Sequence, residues 1–158
     1  MSPPGNPHVP QTVDELLAEA AALPLRDAAY AIWRRKITFE RLEGRAWPAR
    51  DHGTPEAAKK SVRETLAQVK YEHDFAQNGS TFARLRRAHP RGTDDELKEA
   101  IVAAVKFDDD CFKYFSHGRA EDFWEMCVHA VECARKDNPP YLETTYRDAC
   151  NRVAYCMK

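Results

Sequence analysis

The sequence predicts an all-α fold: a single-domain bundle of about six to seven helices behind a disordered, proline-rich N-terminal tail. Three observations carry this prediction. Apolar residues recur at three- and four-residue spacing along nearly every segment after position 11. Helix-start residues stand in front of those segments, and no alternating β-branched run is long enough for a strand. A chain of 158 residues and 18.1 kDa is also the size of one domain, so residues 12–158 are expected to share one core. Residues 1–11 hold four prolines and little to bury, and are expected to form a flexible tail.

The elements follow in order. Thr12 with Glu15 three residues on has the pattern of a capping box and opens the first helix. Pro24 stops that helix and starts the next, because proline is tolerated in a first turn but not inside a helix. The second helix, Leu25 to about Glu43, carries Tyr30, Ile32, Trp33, Ile37, Phe39 and Leu42 on more than one face, which predicts packing on two sides. Residues 44–53 read as a loop. Thr54 and Pro55 start a third helix with Val62, Leu66 and Val69 as its stripe, ending near Asn78-Gly79. Ser80 is expected to cap a short helix with Phe82 and Leu85 that stops before Pro90.

Thr93 and Glu96 form a second capping box. The helix behind it, Asp94 to about Ser116, shows Leu97, Ile101, Val105, Phe112 and Phe115 on its apolar side. The next, Ala120 to about Lys136, is expected to bury Trp124, Cys127, Val128 and Val131. Asn138-Pro139-Pro140 interrupts the chain. A last helix from Tyr141 aligns Leu142, Tyr146, Ala149, Cys150, Val153 and Met157.

Composition narrows the function classes. Lys plus Arg number 24 against 25 Asp plus Glu, with a pI near 6.6, which argues against a generic nucleic-acid coat protein. The two halves differ, however: residues 1–92 carry a net charge of +4 and residues 93–158 one of −5. Such polarity suits docking to a charged partner or to a second copy. No stretch approaches the roughly 20 apolar residues of a membrane span, and the first residues lack the pattern of a secretory signal. Five cysteines without a Cys-x-x-Cys pair read as reduced thiols, so a cytoplasmic location is expected. Cys127 and Cys150 fall on core stripes, whereas Cys133 and Cys156 are expected to be accessible.

Two kinds of site compete. Arg84, Arg86 and Arg87 lie in the densest basic run and Trp47 lies in a loop, together offering a charged and aromatic contact surface. These residues favour a binding protein with an adaptor, regulatory or assembly role, whose partner is a protein or a second copy; neutrality disfavours nucleic acid. The acidic stretch that begins at Asp94 offers the same arginines a local partner.

The alternative rests on Asp108, which falls on the apolar stripe of its helix. A carboxylate there needs a partner, a metal or a raised pKa. His52, the pair His73-Asp74, and Asp108 occur in an order that resembles the His…His-Asp…Asp order of HD-type metal phosphohydrolases. That resemblance implies phosphate-ester hydrolysis with a divalent metal held by His73, Asp74 and Asp108, and with His52 contributing. Glu125 and His129, one turn apart, are further candidate ligands. Their face also fits plain solvent exposure with local ion pairs.

Overall fold

Thr12 and Thr93 open their helices as their side chains dictate: each accepts from the backbone N–H three residues on, at 3.1 and 3.2 Å. The Glu96 carboxylate returns the bond by accepting from the Thr93 N–H, completing the second capping box. The structure, a computed structural model, describes residues 12–44, 79–115 and 122–158. Among the described residues there are seven helices and no strand. They are α1 (Val13–Ala21), α2 (Leu25–Arg34), α3 (Lys36–Leu42), α4 (Ser80–Ala88), α5 (Asp94–Lys113), α6 (Phe123–Asp137) and α7 (Glu143–Met157). The tail at 1–11, the Trp47 loop and the helix expected from Thr54 lie outside the described residues.

The bundle is organised around α2 and α5, which share the most extensive helix pairing; α6 packs on α5, α7 on α6, and α1 and α4 close the other end. Its centre is aromatic. The Phe107 ring stacks on Tyr141 at 4.8 Å between centroids and meets the Tyr30 ring edge-on at 5.4 Å. Ile32, Leu97, Ile101, Val131 and Val153 are buried around these rings, as their helical spacing requires.

The second helix departs from expectation. It does not run unbroken to Glu43, because Arg35 leaves the helical backbone region and its N–H bonds to the Ile32 carbonyl three residues back. That tighter turn re-aims α3, so Phe39 is buried while Ile37, expected on an apolar face, is 62% exposed. Trp124 is likewise exposed rather than buried. The inward stripe of α6 is centred on Phe123, Cys127, Ala130 and Ala134, and Trp124 stands about 90° from that centre at 100° per residue. Phe123 closes this end of the core instead, with its ring edge-on to Phe115. Leu142, expected on the last stripe, is the N-cap of α7 and is exposed. Gly79, not Ser80, occupies the cap position of α4.

Polar links then fix the helices against each other. Asp27 on α2 is buried and turns one carboxylate oxygen to the start of α7, accepting from the Leu142 N–H at 2.9 Å and from the Thr145 hydroxyl at 2.6 Å. It satisfies a backbone donor that the helix start leaves without a partner. Lys106 on α5 donates to Asp110, to the Asp137 carbonyl and to Asn138, tying α5 to the end of α6.

Candidate functional site

Asp108 faces inward, as its place on the stripe predicted, and what it meets there is Arg152 of α7. The guanidinium donates from Nε to one carboxylate oxygen at 2.7 Å and from Nη2 to the other at 3.0 Å. Burial alone would lower the pKa of Arg152; the Asp108 hydrogen bonds and charge hold it above the ordinary arginine value instead. Arg152 also lies over the Phe112 ring, 5.5 Å from its centroid. Both oxygens of Asp108 are thus engaged in a two-pronged ion pair. Asp110 accepts from Lys106 and from the Asn138 amide.

The basic run is also partly turned inward. Arg84 is buried, paired with Glu43 at 3.1 Å and stacked 4.8 Å over the Phe39 ring, so it is a packing residue rather than a contact offered to a partner. Arg86 donates to the Gly92 carbonyl and to Asp94, the local pairing that the acidic stretch made available. Arg87 alone of the three is exposed, with Asp14 at 3.5 Å. Trp47, His52, His73 and Asp74 lie outside the described residues. Glu125 and His129 stand on the solvent side of α6, and the His129 ring lies 3.5 Å from the Cys133 sulfur. Among the described residues no three His, Cys, Asp or Glu side chains converge as a metal site would require.

Sequence reasoning missed a concavity between helices. A groove of about 530 Å³ runs between α1, α2 and α7. Its apolar wall is Ala20, Ala22, Leu23 and Ala31; its polar groups are Glu19, Arg35, Thr144, Arg147, Asp148 and Asn151, with Tyr30 and Thr145 set deeper. Small side chains on the α1–α2 turn leave the space open. Most charges in and beside it are paired: Arg35 with Glu19 at 3.1 Å, and Asp148 with Arg34 at 2.7 Å. Burial nevertheless pushes the Asp148 carboxyl above its ordinary value, against the pull of Arg34, Arg35 and Arg152.

One charge in the groove is left over. Arg147, exposed on α7, has no ion-pair partner among the described residues. Beneath the groove, Tyr30 is 1% exposed, and among the described residues its hydroxyl makes no hydrogen bond. Burial, reinforced by Asp108 and Cys111, raises the Tyr30 pKa well above that of free tyrosine, so the hydroxyl stays neutral and able to donate or accept. A buried polar atom without a partner costs about 1–3 kcal/mol. The signal available in the sequence was only a tyrosine on a two-sided helix.

Compared with known proteins, the sequence matches no family model, and no curated protein or solved structure matches it.

Proposed function

We propose that this chain is a binding protein with a regulatory or adaptor role, and that the groove between α1, α2 and α7 is its contact site. The observation that carries this reading is the groove itself, where an apolar wall faces charges that neutralise one another in pairs while Arg147 has no ion-pair partner among the described residues. Groups arranged in that way are completed by a ligand. The volume of about 530 Å³ falls within the roughly 300–1,000 Å³ usual for small-molecule sites. A stable protein–protein contact would instead need on the order of 800 Å² from each partner. A protein partner or a second copy would use other surfaces, where Arg87, Trp124 and Tyr155 are exposed.

The metal-dependent phosphohydrolase reading gains no comparable support. Asp108 is held by Arg152, and among the described residues, which do not include His52, His73 and Asp74, Glu125 and His129 belong to no group of three metal-ligating side chains.

Screening a library of small organic fragments by nitrogen–proton correlation NMR tests the proposal. The expected result is a set of fragments whose shifts cluster on Ala22, Leu23, Thr144, Arg147 and Asn151. Shifts scattered over other faces, or none at all, would overturn it.

A further inference from the structure

Away from the groove, two donor atoms on α6 are spaced as a metal ion would space them. His129 and Cys133 stand one turn apart, so helix geometry sets their side chains on one face. The His129 Nε2 lies 3.5 Å from the Cys133 sulfur. A tetrahedral zinc ion, with Zn–N of about 2.1 Å and Zn–S of about 2.3 Å, holds two such ligand atoms roughly 3.6 Å apart. We propose that His129 and Cys133 chelate zinc as a two-ligand site, with the remaining positions left to water or to small exogenous ligands.

Access and chemistry agree with the distance. His129 is exposed and Cys133 partly so, and an ion reaches both without opening the core. Cys111, Cys127 and Cys150 are buried, and Cys156, though exposed, has Arg152 one turn before it where Cys133 has a histidine. Imidazole nitrogen and thiolate sulfur suit zinc, whereas magnesium and calcium take oxygen ligands. On binding, the thiol gives its proton to solvent, and the sulfur and the ring nitrogen each donate a lone pair. No oxidation state changes, and affinity rises with pH because protons compete for both ligands.

The neighbouring carboxylates explain why the site stops at two ligands. Asp137, one turn beyond Cys133, accepts from the Tyr114 hydroxyl, and Glu132 pairs with Arg135. Among the described residues no third ligand converges on the pair. The chelate is therefore open and exchangeable, unlike the closed four-ligand sites that hold a fold together.

Cobalt(II) serves as the spectroscopic probe, titrated at pH 7 into the full chain kept reduced with a phosphine. The expected result is a near-ultraviolet sulfur-to-cobalt charge-transfer band that saturates at one equivalent, is abolished by zinc and survives excess magnesium. Cys133→Ser should abolish the band, and His129→Gln should weaken cobalt binding at least about tenfold. Cys156→Ser should change neither. Circular dichroism melts check that each variant keeps the fold.

Should Cys133→Ser fold poorly, the parent protein provides the second measurement: zinc should slow alkylation of Cys133 and leave that of Cys156 unchanged, read by peptide mass spectrometry. The proposal is overturned if the band persists in Cys133→Ser or vanishes in Cys156→Ser. It is equally overturned if His129→Gln binds cobalt within about twofold of the parent, or if zinc leaves the alkylation of Cys133 unchanged.

Discussion

Replacing Arg152 by methionine removes the guanidinium while keeping most of the apolar stem. The structure sets the size of the effect. The Asp108 side chain is 8% exposed and Arg152 26%, and both carboxylate oxygens lose their donor. Removing one member of a buried ion pair costs about 3–5 kcal/mol because the other charge is stranded. The partial exposure of Arg152 lets water reach the vacated position, which brings the expected loss to about 2–4 kcal/mol. In a chain of this length that corresponds to a fall in Tm of roughly 5–15 °C. Exchanging both residues, Asp108→Leu with Arg152→Met, strands nothing and should return stability to within about 1 kcal/mol of the parent. Urea unfolding followed by circular dichroism measures both variants, with an unchanged m-value showing that the same cooperative unit unfolds. A loss below about 1 kcal/mol in the single variant, or a double variant as unstable as the single, would refute the assignment of Asp108 and Arg152 as a buried structural pair.

Further outcomes follow from other parts of the molecule. Only Cys133 and Cys156 should react quickly with a thiol reagent at pH 8, since Cys111, Cys127 and Cys150 are buried, and burial pushes the Cys150 thiol up to about 11; rapid titration of all five in the folded protein would contradict this. Thr93→Ala should cost about 1 kcal/mol by deleting one side of the capping box, measured by urea unfolding, and an unchanged midpoint would count against the cap. Asp110 is lowered below the ordinary carboxylate range: burial opposes this, but hydrogen bonds from Lys106 and Asn138 prevail. Its contribution to stability is therefore complete above the unfolded value near about 4 and is lost as pH falls through the lower folded value. Asp110→Asn should accordingly narrow the stability gap between pH 7 and pH 2, and equal acid sensitivity in parent and variant would contradict the assignment.

How much of this was legible in the sequence depended on the range of the interaction. Thr12, Pro24, Thr93 and the Asn138-Pro139-Pro140 break act on neighbours within a turn, so their spacing predicted the helices that form. Periodicity also put Asp108, Cys127 and Cys150 inside, where the structure has them. It failed where local rules give two answers. Phe123 and Trp124 are adjacent and only one can face the core; the stripe centred on Cys127 and Ala134 chooses Phe123. Arg84 looked like a surface cation because the composition around it is basic, but Glu43 and the Phe39 ring draw it inward.

The groove was least legible. Arg152 meets Asp108 from 44 positions away, and Thr145 meets Asp27 from 118. Neither that docking of α7 on α2 and α5 nor the space it leaves beside Tyr30 is written in any local pattern.

A crystal structure of the protein soaked with the tightest-binding hit of the fragment screen tests the central claim most directly. The predicted result is density for the fragment between α1, α2 and α7, against Leu23 and Arg147. Density beside Arg87 or on another face, with the groove still empty at saturating ligand, would contradict it.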